Sequence, residues 1–181
     1  MNNIKIENIV AYAQISEGIN IEDLIEKIPD LQYNPEDFLG VTFKLDYPKT
    51  AILLMPSGKA ICTGAISMEE VETSINKLIE KLIDVGIEVN KKPRIETQNF
   101  VVSTELNKEL DLSSISKGLL LKNVKYEPDQ FPGLIYNMDE IGALLLIFSS
   151  GKIVCTGTKS FEDASKAIEM MKDMISSLGT I

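Results

Sequence analysis

The chain contains no histidine. That removes the commonest metal ligand and the commonest general base near neutral pH. Cysteine occurs only twice, at Cys62 and Cys155. Two distant thiols without histidine cannot form a Cys/His zinc site within one chain, nor a Ser-His-Asp or Cys-His nucleophile. With no export signal they read as reduced cytosolic thiols, packed as small hydrophobes rather than used as redox groups. No window approaches the ~18 uncharged apolar residues of a membrane span. The opening residues 1–9 carry Lys5 and Glu7 and lack the apolar core of a signal peptide. An Asp/Glu metal site is the one option left, and no acidic cluster points to it. The absences lead us to expect a cytoplasmic protein that is not an enzyme, with no metal, no cofactor and no membrane partner.

Positive charge is also scarce. Lys and Arg total 18 against 27 Asp and Glu, a net charge of −9. The deficit is uneven: residues 1–90 hold 7 basic and 15 acidic residues, residues 91–181 hold 11 and 12. Composition alone favours an acidic soluble protein over a nucleic-acid binder. The length of 181 residues, 44% hydrophobic and 25% charged, fits one compact domain or two small ones.

What is present is a repeat. Residues 33–67 align without a gap on residues 126–160, with 13 of 35 positions identical. The identities include Tyr33/Tyr126, Pro35/Pro128, Phe38/Phe131, Gly40/Gly133 and the run Ser57-Gly58-Lys59 against Ser150-Gly151-Lys152. Cys62-Thr63-Gly64 likewise matches Cys155-Thr156-Gly157. Upstream, ENIVAYAQI (7–15) matches QNFVVSTEL (98–106). A period near 90 residues is too long for a solenoid and reads as a duplicated domain, with copies at 1–90 and 91–181.

Each copy has the same order of elements. Residues 3–14 and 95–106 are rich in β-branched residues and read as strands. A short helix follows, from about Asn20 to Pro29 and from about Asp111 to Gly118. Three short runs come next: 40–46, 50–55 and 59–65, matched by 133–139, 143–149 and 152–158. The Ser-Gly-Lys turns make the last two of each set a hairpin. Ser67-Met-Glu-Glu70 and Ser160-Phe-Glu-Asp163 then signal helix starts. The first closing helix aligns Val71, Ile75, Leu78, Ile79 and Leu82 on one face. The second aligns Ala164, Ala167, Ile168, Met171 and Ile175. The layout is α+β, helices on one face of an antiparallel sheet. Residues 51–55 and 143–148 are apolar on both faces. Either both faces are covered, or one is an exposed apolar binding surface.

Twice, then, the chain gives Tyr-x-Pro-x-x-Phe-x-Gly, an apolar run ending in Met55 or Phe148, and Ser-Gly-Lys-x-x-Cys-Thr-Gly. In this it resembles the TATA-box-binding protein family over about residues 3–178, most closely in its second copy. The acidic balance and the lack of a long N-terminal extension resemble the archaeal branch.

The resemblance implies a duplicated saddle: a ten-stranded curved antiparallel sheet with four helices on the convex face. It implies a general transcription initiation factor that binds A·T-rich promoter DNA through the minor groove. Members of this family kink DNA by roughly 80° and insert apolar wedges between base steps. By resemblance the wedges fall on Phe38, Met55, Phe131 and Phe148. The central asparagines fall on Asn8 and Asn99, beside Thr63 and Thr156. Groove-floor contacts fall on Val10, Leu53, Ile61, Val101, Leu146 and Val154. Phosphate contacts fall on Lys44, Ser57, Lys59, Ser150, Lys152 and Lys159. Glu127, Asp129 and Gln130 fall where the partner, transcription factor B, is met. The implied partners are promoter DNA, transcription factor B and the RNA polymerase assembly, with a homodimer as a state of the free chain. The alternative is a divergent paralogue serving as a protein-interaction or regulatory module.

Residue type alone reads Phe131 and Phe148 as core, and Lys59 and Lys152 as ordinary hairpin lysines. Asn8 and Asn99 stand out, because Asn is depleted in strands and needs partners when buried. Their matched positions suggest a shared polar ligand. The sequence also departs from the family pattern at Met55-Pro56, at Ile66 opposite Lys159, at Asn137 opposite Lys44, and at Ile141-Gly142-Ala143.

Overall fold

A computed structural model of the chain describes residues 3–29, 31–34, 36, 39–119 and 123–179. Among them are ten strands and four helices. In chain order they are β1 (Lys5–Gln14), α1 (Ile21–Lys27), β2 (Gln32–Tyr33), β3 (Val41–Leu45), β4 (Thr50–Leu54), β5 (Lys59–Ala65) and α2 (Met68–Asp84). The set then repeats as β6 (Ile95–Glu105), α3 (Leu112–Leu119), β7 (Val124–Lys125), β8 (Gly133–Met138), β9 (Ala143–Phe148), β10 (Lys152–Thr158) and α4 (Phe161–Ser177). The two-residue strands β2 and β7 are too short to give a periodic signal in the sequence.

The chain forms two compact units. One is Asn8–Gln98; the other is Asn99–Ile181 together with Met1–Glu7. In the first, the strands hydrogen-bond in the order β2-β3-β4-β5-β1, and in the second β6-β10-β9-β8-β7. The paired strands are antiparallel.

The helices begin where the sequence signals them. The Ser67 hydroxyl accepts from the Glu70 amide at 3.1 Å, while Glu70 Oε2 accepts from the Ile66 amide at 2.8 Å. Ser160 accepts from the Asp163 amide at 3.0 Å. Asp111 accepts from the Ser113 and Ser114 amides. Each such cap satisfies donors the helix leaves orphaned, for about 1 kcal/mol.

In the first unit α2 packs on β4 and β5. It buries Val71, Ile75, Leu78, Ile79 and Leu82 against Ile52, Leu54, Ala60 and Cys62. In the second unit α4 packs on β9 and β10, burying Ala164, Ala167, Ile168, Met171 and Ile175 against Leu145, Ile147, Ile153 and Cys155. Residues one position along each strand stay partly exposed: Leu53 and Ile61 in the first unit, Leu144, Leu146 and Val154 in the second. The doubly apolar strands are therefore covered on one face only. Within each unit the other face is an apolar sheet surface open to water.

Candidate nucleic-acid interface

One residue row of the first unit's open face runs across four strands. Tyr12 is paired with Ile61, Ile61 with Leu53, and Leu53 with Thr42. The second unit repeats it with Ser103, Val154, Leu146 and Ile135. A neighbouring row sets Thr63 beside Ala51 and Lys44, and its counterpart sets Thr156 beside Leu144 and Asn137. Val10 and Val101 are half-exposed on β1 and β6. The strand alternation brings Val10, Leu53 and Ile61, expected as groove-floor contacts, to one face of one unit, and Val101, Leu146 and Val154, expected likewise, to one face of the other. At these positions the face is aliphatic.

Its polar points are built by a bulge. Between Cys62 and Ala65 strand β5 advances three residues while its partner β1 advances two, from Ala11 to Ile9. Strand β10 does the same against β6, from Cys155 to Thr158. The extra residue breaks the ladder. Gly64 and Gly157 take it up at φ 95°, where an added Cβ would come within 3.0 Å of a carbonyl oxygen. Only glycine suits that conformation. Asn8 Oδ1 accepts from the Gly64 amide at 2.7 Å, and its Nδ2 donates to Thr63 Oγ1 at 3.2 Å. Asn99 repeats both bonds, to Gly157 at 2.7 Å and Thr156 at 2.9 Å. The matched asparagines thus have an intramolecular duty inside their strands. The bonds also fix which way each amide points, leaving one Nδ2 hydrogen of each outside them.

Phe131 and Phe148 are half-buried, neither in the core nor free. Their rings meet edge to face, with centroids 5.9 Å apart and planes at 62°. Gly133 makes room: a Cβ there would lie 2.8 Å from the Phe131 ring and 3.2 Å from the Phe148 ring. Met55, past the end of β4, is half-buried in the first unit. Phe38 lies outside the described residues.

Lys44 and Lys159 are exposed, Lys152 is partly exposed, and Ser57 and Ser150 stand in the exposed hairpin turns. No ion pair among the described residues holds any of these three lysines. Lys59 differs: its Nζ lies 4.0 Å from the centre of the Tyr12 ring. Glu127, Asp129 and Gln130 are exposed in a turn before β8, in which the Gln130 and Phe131 amides both donate to the Glu127 carbonyl at 2.9 Å. Glu127 also pairs with Lys125 at 3.2 Å.

Sequence reading missed Tyr12, Thr42, Ile135 and Leu144 on these faces. Their place in the strand alternation was the available signal.

Cys62 and Cys155 are fully buried and unpaired. Burial pushes both thiols up, Cys155 to about 11, which suits packed hydrophobes. The carboxyl of Glu7 is held below its ordinary range, first by the Ser103 hydroxyl, which donates to it at 2.6 Å, and also by nearby Lys5 and Lys152. Among the described residues no cluster of His, Cys, Asp or Glu could hold a metal ion, and no helix is long and apolar enough to cross a membrane.

The chain has counterparts among known proteins. The family described as transcription factor TFIID (or TATA-binding protein, TBP) matches residues 3–85 and again residues 94–178. The chain is 42% identical over 178 residues to TATA-box-binding protein D of Halobacterium salinarum, covering 98% of this chain and 96% of that one. It is 43% identical over 176 residues to the TATA-box-binding protein of Archaeoglobus fulgidus, covering 97% and 96%. The solved Methanococcus jannaschii TBP superposes with a TM-score of 0.87 at 42% identity, covering 96% of this chain and 98% of that one. Likeness of this depth in both sequence and fold, with the family pattern matched once in each copy, makes the chain a member of the TATA-binding protein family of transcription factors, akin to its archaeal representatives.

Proposed function

We propose that the chain initiates transcription by binding A·T-rich promoter DNA in the minor groove with the open sheet face of each unit. The observation that carries this is the twin Asn-Thr-Gly bulge set in an otherwise aliphatic surface. The minor groove offers mainly A N3 and T O2 acceptors, and G·C pairs add an N2 donor. A reader of A·T pairs needs apolar area, a few fixed donors and no bulk at the centre. Val10, Leu53, Ile61, Val101, Leu146 and Val154 supply the area. Asn8 and Asn99, with Thr63 and Thr156, supply the donors. Phe131 with Phe148, and Phe38 with Met55, wedge base steps apart, and the bend lets more surface engage. Lys44, Lys59, Lys152, Lys159, Ser57 and Ser150 contact phosphates. The turn carrying Glu127, Asp129 and Gln130 then meets a basic surface of transcription factor B, which brings RNA polymerase. Free chains pair through the same apolar faces until DNA displaces the second copy.

The test is an anisotropy titration of a TATA-like duplex against a G·C-rich one, with and without transcription factor B. Preference for the TATA-like duplex is expected, strengthened by transcription factor B. Equal affinity for both duplexes would defeat the reading. Loss of the transcription factor B effect in Glu127→Lys, with DNA binding intact, would support the partner surface.

A further inference from the structure

Lys59 and Lys152 occupy matched hairpin positions, yet their surroundings differ. Lys59 Nζ sits 4.0 Å above the Tyr12 ring. Tyr12 is itself tied down: its hydroxyl donates to Glu96 Oε2 at 2.8 Å, and Glu96 pairs with Arg94 at 3.7 Å. On the sheet, Tyr12 is paired with Ile61 and Gln14 with Lys59, so ring and lysine stand two rungs apart on β1 and β5, on the same face. All four residues belong to the first unit. At the position matching Tyr12 the second copy has Ser103, whose hydroxyl is spent on Glu7. Among the described residues no ring holds Lys152.

We propose that Tyr12 is a positioning residue for DNA binding: its ring holds the Lys59 ammonium over the open face of the first unit, ready for a backbone phosphate. A free lysine must give up most of its rotamer freedom when it binds phosphate. Here the ring has already ordered it, and a cation over an aromatic face keeps its full charge and its three donors. The first copy carries the greater share of the chain's acidity, so its cations work against more repulsion. A pre-ordered lysine offsets part of that handicap in the copy that needs it. The inference rests on the minor-groove reading above and adds to it a residue with no equivalent in the second copy.

The experiment compares the full chain with Tyr12→Ser, Tyr12→Phe, Lys59→Ala and the Tyr12→Ser/Lys59→Ala pair, on one TATA-like duplex across a salt series. Each neutralised phosphate contributes about −0.9 to the slope of log K against log salt. Tyr12→Ser leaves the Lys59 charge in place, so it is expected to weaken binding several-fold while the slope stays that of the parent. Lys59→Ala should flatten the slope by about one phosphate and weaken binding at least as much, the pair should bind no more weakly than Lys59→Ala alone, and Tyr12→Phe, which keeps the ring but loses its bond to Glu96, should bind more tightly than Tyr12→Ser. In the free parent chain the Lys59 Cε protons should be ring-shifted upfield in an NMR spectrum, a readout that needs no DNA. Unweakened binding by Tyr12→Ser, full additivity in the pair, binding by Tyr12→Phe no tighter than by Tyr12→Ser, or an unshifted Lys59 would each overturn the proposal. Should Tyr12→Ser fail to fold, Tyr12→Leu takes its place with the same expected loss. A parent chain with no preference for the TATA-like duplex would instead remove the functional reading, and that is visible before any variant is compared.

Discussion

Asn99 and Thr156 are bound to each other, Nδ2 to Oγ1 at 2.9 Å, while Asn99 Oδ1 holds the Gly157 amide at 2.7 Å. One side chain therefore closes a bulge and aims an amide from the open face. Asn8 does the same in the other unit. The structural duty and the proposed recognition duty can be separated by substitution.

Asn99→Asp keeps an oxygen for the Gly157 amide but loses the donor and adds a negative charge. The Gly157 amide lies where water can reach it, and a hydrogen bond there is worth about 1 kcal/mol net. Stability in urea should fall by no more than about 1 kcal/mol, while affinity for a TATA-like duplex falls more than about tenfold, one factor of ten being ~1.4 kcal/mol. Equal losses in both measurements would make Asn99 a structural residue only.

Phe131→Ala and Phe148→Ala should each weaken DNA binding strongly. Both rings are half-exposed, so the folding cost should stay below the ~3–5 kcal/mol of a buried Phe→Ala. Loss of the edge-to-face pair accounts for ~0.5–1.5 kcal/mol of it. Urea unfolding beside anisotropy checks this, and a cost in the buried range would return that ring to the core.

The two copies should contribute unequally. The first has Met55 where the second has Phe148, and Ile66, exposed, where the second has Lys159. Methionine is a flexible wedge that cannot stack as a ring does. The second copy should supply most of the affinity, and the first-copy end of the site should be less sharply kinked. Fluorescent base analogues at the two kinked steps read this directly. Equal unstacking at both ends, or equal losses from Met55→Ala and Phe148→Ala, would count against it.

Salt should matter little for a DNA-binding protein. Few lysines serve the faces, and the net charge is −9. The slope of log K against log salt should correspond to ~3–5 phosphates. A slope near −10 would mean that cations, not apolar burial, carry binding.

Both cysteines should resist alkylation in the folded chain and react once it is unfolded in urea. Burial disfavours the thiolate, raising Cys62 and taking Cys155 to about 11. A group whose folded pKa is raised contributes stability in full below its unfolded value, ~8.5 for a thiol, and loses it as pH climbs toward the folded one. Stability should therefore decline through the window from ~8.5 to about 11, and Cys155→Ala should shrink that decline. Rapid alkylation of the native chain at pH 8 would contradict the burial argument.

Much of this was legible in the sequence. The repeat, the capping serines and the helix faces follow from local rules: a serine three residues before an acid caps a helix, and apolar residues at helical spacing must be buried. The open face was legible only as a choice. Leu53 and Leu54 are the same residue type on neighbouring positions, yet Leu54 is fully buried and Leu53 half-exposed. Composition cannot decide between them; the helix that covers one face does. The bulge was likewise invisible. Cys-Thr-Gly gives no sign that strand β5 takes one residue more than its partner across the bulge, and the duty of Asn8 appears only when residue 64 is brought beside it. Tyr12 resting under Lys59 joins positions 47 residues apart. Sequence by itself determined the elements and their duplication, because those depend on neighbours along the chain. Only the tertiary structure decided which face stays open and which polar groups stand on it, because those depend on register between strands and on what packs behind them.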